Sequence, residues 1–276
     1  MAYGQTPFVI AAAPNGARKT KADVPNIPIT PAEVAQTALA CKQAGAAMMH
    51  LHVRDEDQKH SLDVGRYREM LTEVRASVGD DMLLQVTTEA VGMYSADDQM
   101  AMVRGLVPEA VSIAIREIAP DGFDVSALKS FFAFMREAKI FPQFILYASD
   151  DVRRFNQLVE KGILPGEKFP VLFVLGRYSA GQVSDPADLL PFIATSSYIS
   201  TWMVCAFGAF ENACILTGAG LGGHARIGFE NNHLLVDGSP ADHNAELIAQ
   251  AREGARHMAR KIATGEQAKQ IMHPVW

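Results

Sequence analysis

The chain predicts an α/β fold of the (β/α)8 TIM-barrel type, on three observations. Short apolar runs rich in Val, Ile, Leu and Phe alternate with longer segments of helical periodicity, the pattern of a parallel sheet covered by helices. These runs number eight, and a helical segment follows each, as a closed barrel requires. No linker, low-complexity tract or internal repeat divides the 276 residues, so residues 1–276 read as a single barrel domain. A doubly wound open sheet is the alternative, and the strand count favours the barrel.

In order, strands are expected near Phe8–Ala12, Ala47–Val53, Met82–Thr87, Ala110–Ile115, Phe141–Tyr147, Val171–Leu175, Ser200–Cys205 and Ala225–Phe229. The first helix is signposted at Thr30-Pro31-Ala32-Glu33 by a capping threonine, a proline at the first helical position and a glutamate at the third. Gly45 closes it. Further helices fit Val64–Val78, Ala96–Leu106, Val125–Glu137, Val152–Lys161, Ala187–Ile193, Phe210–Leu216 and Asn244–Ala263, and Lys19–Ile29 reads as an extended loop. The glycine cluster GAGLGGHA precedes the eighth strand, so it reads as a tight turn at the bottom face and not as a phosphate loop.

A hydrophobic share of 49% and a charged share of 20% suit a soluble globular chain. A net charge of −6 argues against binding nucleic acid or an anionic membrane surface, so an anionic ligand needs a local basic cluster. The start MAYGQTPFVI lacks the features of a signal peptide, and no run reaches the roughly 18 apolar residues of a membrane span. Cys41, Cys205 and Cys214 form no zinc or disulfide pattern, which fits a reducing, cytoplasmic setting.

The stretch MMHLHVRD carries the chemistry. On a strand, residues two apart share a face, so His50 and His52 point the same way at the C-terminal end of the second strand. Barrel active sites are built there. A catalytic metal wants a third protein ligand and an open position; the absence of histidines between His60 and His224 disfavours an amidohydrolase-type barrel, and the third ligand is expected from a carboxylate at another strand end. Glu230 closes the eighth strand, and even-numbered strands contribute to common layers, so Glu230 can lie level with the histidines. Two histidines and a glutamate favour Zn2+, with iron or manganese as lesser options.

Arg226, four residues before Glu230, is expected on the same face, needing an anion. Thr87, Thr88 and Glu89 end the third strand, and Arg116 and Glu117 follow the fourth, where a barrel displays working polar groups. Arg54 and Asp55 read as a local ion pair. Arg177, in LGRYSAG after the sixth strand, suits a phosphate or pyrophosphate.

The segments PNGARKT, PITPAEVA, AGAAMMHLHVRD, VLGRY, TWMVCAFG, GGHARIGFENN and SPADHNAELI together resemble, over nearly the whole chain, the β-keto acid cleavage enzymes. The resemblance implies a (β/α)8 barrel assembled as a homotetramer, with zinc on His50, His52 and Glu230. It implies that a small β-keto acid reacts with acetyl-CoA, a co-substrate, to give acetoacetate and a new CoA thioester. Arg226 then resembles the arginine that organises base and developing charge, and Thr87 a hydroxyl that orients the acid. Asn15 and Gly16 of PNGARKT join Arg116, Glu117 and Arg177 as expected substrate-binding positions.

The chain departs from the family at several points. Asn231 stands where an aspartate base is usual, Arg18 where an acid is often found, and Gln143 and Ile145 where carboxylates are common. Glu89 is the expected replacement base; alternatively, Glu89 or Glu117 holds a cationic substrate group. Two other functions fit the same metal site, a metal-dependent aldolase or lyase acting without CoA and a non-catalytic β-keto acid binding protein.

Overall fold

The computed structural model describes residues 6–276. Eight parallel strands close into a barrel: Ile10–Ala12, Met48–Leu51, Leu83–Thr87, Ala110–Ala114, Phe141–Leu146, Phe169–Leu175, Ile199–Ala206 and His224–Ile227. The eighth pairs with the first, Ala11 lying beside Arg226, so the sheet has no free edge. Among the described residues, no helix is long and apolar enough to cross a membrane, and the three cysteines are buried and free.

Local signals decide the helix ends. The Thr30 side chain accepts from the Glu33 N–H while Glu33 reaches back to the Thr30 N–H, and Gly45 ends the helix Pro31–Ala44 at φ 123°. Val64–Val78, Ala96–Leu106 and Val125–Glu137 match their expected bounds and are started by Asp63, Ser95 and Asp124. The sixth helical segment is broken into a 3-10 turn, Pro186–Leu189, and a short helix, Leu190–Ala194. The helix at Asn244 stops at His257, earlier than expected, and Gly265–Ile271 forms a further helix.

Two apolar layers result. Between sheet and helices, Phe131, Phe132, Phe144, Phe155 and Phe169 form a ring cluster with centroids 5.4–6.2 Å apart. The lower barrel belongs to a separate apolar cluster that includes Ala11, Met48, Leu83, Leu172 and Met203 and reaches Ala268 and Met272 of the C-terminal segment. At the bottom face, GAGLGG turns into the eighth strand as expected. A Cβ on Gly223 would lie 2.1 Å from the Trp202 ring, so the glycine is required for close packing.

The top of the barrel differs from expectation at three places. The second strand ends at Leu51, and Val53–Arg54 peels away to pair antiparallel with His60–Ser61, returning His60 over the site. The eighth strand stops at Ile227 and turns at Gly228 (φ 145°), so Glu230 lies in a turn beyond the strand and not on its face. Arg54 forms no ion pair with Asp55. Its guanidinium donates to the carbonyls of Asn15, Gly16, Lys19 and Gln58 at 2.6–3.3 Å and clamps the loop after the first strand.

Glu211, the first residue of the helix Glu211–Gly220, is buried beneath the turn that carries Glu230. Its carboxyl accepts from the Gly228 N–H and from the amides of Asn231 and Asn232 at 3.3–3.5 Å. Burial outweighs these long bonds and pushes the group up to about 8 from an ordinary 4.5. In that interval the folded chain keeps a proton that the unfolded chain has released, so this contribution to stability is full below about pH 4.5 and lost as pH rises to about 8. Glu211→Gln should therefore weaken the decline in stability across that window by about 2–4 kcal/mol relative to the native chain. Urea melts of both proteins at several pH values test this; parallel stability curves would rule it out.

Candidate metal centre and active site

His50 lies beside Gln85 in the sheet register. Its Nδ1 is 2.8 Å from Gln85 Oε1, and Gln85 Nε2 donates to Gln143 Oε1 at 3.1 Å. The glutamine oxygen can only accept, so the His50 proton is on Nδ1 and the Nε2 lone pair faces the barrel axis. Burial, then the nearby Arg226 charge, hold His50 well below the usual histidine value and so neutral. His60 is also neutral: burial, then His52, push it down to about 3, and its Nε2 donates to the Glu89 carbonyl at 2.8 Å.

Three potential ligand atoms converge. His50 Nε2 and His52 Nε2 are 3.1 Å apart, and Glu230 Oε2 lies 3.6 Å from the former and 3.5 Å from the latter. In a tetrahedral site with bonds of about 2.0–2.2 Å, neighbouring ligand atoms are separated by about 3.3–3.6 Å. Glu230 Oε2 is buried without a hydrogen-bond donor, which an ion between the three groups would remedy. Burial alone raises the Glu230 carboxyl, but the Arg226 guanidinium beside it leads the opposing charges and the group is held well below the usual range. These residues form a group fit for a divalent metal.

Arg226 completes the centre. Its guanidinium donates to Glu230 Oε1 and His50 Nε2, both at 3.1 Å, and contacts Cys205 Sγ at 3.4 Å. Asn15 Nδ2 donates to the His52 carbonyl at 3.3 Å. At Gly16 (φ 60°) an added Cβ would meet Glu230 Cγ at 2.5 Å, so the first loop can approach the carboxylate only as glycine.

The cavity over this centre is lined by His50, His52, Thr87, Glu89, Arg226 and Glu230, with Ile145, Tyr147, Val174, Phe207 and Arg177 as its remaining wall. Glu89 Oε2 is 3.9 Å from His52 Nδ1, and its N–H donates to Thr87 Oγ1 at 3.1 Å. A neighbouring cavity, bordered by Asn15, Gly16 and Arg18, shares Glu89, Arg177, Phe207 and Glu230 with the first.

Arg116, Glu117 and Asn231 line neither cavity. The fourth strand runs straight into a short helix, Ile115–Ile118, which turns Arg116 onto Asp151 (2.6 Å) between the rings of Tyr147 and Tyr178. Glu117 accepts from the Ala90 N–H at 3.0 Å, and burial pushes it up to about 7. Asn231 points its amide at Glu211 and the Arg226 carbonyl.

Sequence reasoning missed Gln85 as the partner of His50, Arg54 as the clamp, and Tyr147, Val174 and Phe207 as cavity walls. A glutamine inside the apolar run LLQVT was the available signal for Gln85.

His50→Ala should leave a folded barrel that retains no stoichiometric divalent ion after dialysis against zinc, while Gln85→Leu should weaken binding by about 10-fold or more. Metal analysis and competition with a chromophoric chelator read both; full occupancy in His50→Ala would remove His50 from the site.

The model of the beta-keto acid cleavage enzyme family matches residues 7–273. Among characterised proteins, the chain is 29% identical over 271 residues to the 3-keto-5-aminohexanoate cleavage enzyme of Fusobacterium nucleatum subsp. nucleatum, covering 96% of this chain and 97% of the relative. It is 27% identical over 278 residues to the 3-oxoadipate:acetyl-CoA acetyltransferase of Cupriavidus necator, covering 96% and 94%. Among solved structures, apo ObcA has a TM-score of 0.73 at 18% identity; the match covers 91% of this chain and 66% of ObcA, less than two thirds of its length, and is a likeness of fold. With the family model spanning the barrel and both ends of the metal centre, the chain belongs to the beta-keto acid cleavage enzyme family.

Proposed function

We propose that the protein is a zinc-dependent enzyme that converts a β-keto acid and acetyl-CoA into acetoacetate and a new acyl-CoA thioester. The observation that carries this reading is the convergence of His50, His52 and Glu230 beside the buried Arg226, in a cavity that also presents the carboxylate of Glu89. Use of acetyl-CoA is supported by the name of the Cupriavidus necator relative.

His50, His52 and Glu230 would hold the zinc, which when bound would supply Lewis acidity towards a keto oxygen and so make the neighbouring CH2 more acidic. Glu89 is the base that takes a proton from that carbon; its backbone is fixed by the bond from its N–H to Thr87 Oγ1. Asn231 cannot serve, because an amide does not accept a proton near neutral pH and its Nδ2 is turned towards Glu211. Thr87 is itself held by the Ser112 hydroxyl at 3.3 Å, and the Arg226 guanidinium opposes negative charge developing on the substrate oxygen. A bond then forms between the CH2 carbon and the acetyl carbon, CoA moves to the acyl carbon of the keto acid, and the original bond between that carbon and the CH2 breaks. Glu89 returns the proton to the carbon released in acetoacetate.

The primary test is acetoacetate formation from a panel of cationic, anionic and apolar β-keto acids by zinc-loaded protein. Product should depend on acetyl-CoA. Cleavage of the keto acid that proceeds without acetyl-CoA would instead indicate a lyase, and binding without turnover a non-catalytic protein. For the base, Glu89→Gln should slow exchange of the substrate α-proton with deuterated solvent by about 10²–10⁴-fold; an unchanged exchange rate read by NMR would exclude Glu89.

A further inference from the structure

The second cavity, between the loop after the first strand and the loop after the sixth, carries basic side chains that the proposed chemistry does not use. It is lined by the positive side chains Arg18, Lys19 and Arg177 and the negative Glu89 and Glu230. Glu230 is engaged by Arg226, and Glu89 faces His52. Lys19 Nζ donates to the Phe229 carbonyl at 2.7 Å and feels the charges of Glu211 and Glu230. The two arginines remain. Among the described residues, neither guanidinium has a carboxylate within ion-pair distance.

They differ in how they are held. Arg177 is half-buried, its guanidinium 5.2 Å from the Phe207 ring centroid and 5.7 Å from that of Tyr178. An arginine resting on an aromatic face keeps its in-plane N–H groups available for a planar anion. Arg18 is exposed and lies on the loop that Arg54 clamps, and its charge is felt at Glu117. A fixed guanidinium and a more exposed one therefore border a space that adjoins the metal centre through Glu230.

We propose that this cavity is a subsite for a second carboxylate at the far end of the keto acid, with Arg177 as its fixed reader and Arg18 as the residue that closes on it. The inference rests on the proposed function for the chemistry at the other end of the substrate. A cationic end would meet two guanidinia here, and Glu117, the other acid considered for that role, lines neither cavity. A CoA phosphate is the other source of an anion. With the thioester at the metal centre, however, the pantetheine arm carries the phosphates well away from a cavity that touches Glu230 and Glu89.

The test compares a β-keto dicarboxylic acid with the isosteric keto acid whose distal carboxylate is an amide, in the zinc-loaded native protein and in the Arg177→Gln and Arg18→Gln variants. The native protein should prefer the diacid in kcat/KM by about 10–100-fold, and each variant should lose much of that preference through a higher KM for the diacid. In parallel, calorimetry with glutarate and butyrate, neither of which can react, should show the same preference and its loss in Arg177→Gln.

A native preference for the amide or for a cationic chain would overturn the proposal. So would variants that keep the diacid preference but raise the KM for acetyl-CoA and no longer distinguish it from acetyl-dephospho-CoA, since the anion would then be a CoA phosphate. Tight glutarate binding that is lost in Arg177→Gln, with no turnover of any keto acid, would leave the subsite standing and reject the proposed reaction.

Discussion

The ion pair between Arg226 and Glu230 is the constraint on which the top of this barrel depends. A guanidinium buried at the axis of a closed sheet loses its hydration, and only a carboxylate in contact can offset that loss. Glu230 is that carboxylate, with one oxygen on Arg226 and the other turned towards the two imidazoles. To reach this position the chain must leave the eighth strand at Ile227, turn at Gly228 and pass Gly16, which has no side chain to obstruct it. The first, second and eighth strand ends are thus locked together by one buried pair.

Around that pair, neutral hydrogen bonds set orientation without adding charge. The run from His50 through Gln85 to Gln143 crosses strands two, three and five and selects the histidine tautomer. A carboxylate in the place of Gln85 would also select it, but would add another buried negative charge. Arg54 does comparable work for the first loop, gathering several backbone carbonyls that would otherwise lack donors. The polar groups that line the cavity are consequently held by the sheet or by groups bonded to it.

Much of this organisation was legible in the residues. Three helices coincide with their expected bounds because Asp63, Ser95 and Asp124 are local stop signs for extended chain and need no tertiary partner. The same locality explains why MMHLHVRD identified His50 and His52: a two-residue period on a strand is a short-range property. Arg226 is expected to share a face with Glu230 and to need an anion; the two do meet, but through a turn and not through alternation along a strand. Arg116 was expected to face the mouth, but the short helix Ile115–Ile118 rotates it onto Asp151, a residue 35 positions away.

By itself, the sequence determined the alternation of strands and helices, the helix caps, the histidine pair and the need for a carboxylate to complete it. Those features depend on backbone periodicity and on side-chain bonds within a few residues. Only the tertiary structure decided that Asn231 faces Glu211, that Arg54 clamps the first loop, and that Arg18 and Arg177 border one cavity together. The reason is physical: where a side chain points at a strand end depends on where the backbone turns, and that is set by buried charges and close packing between segments far apart in the chain.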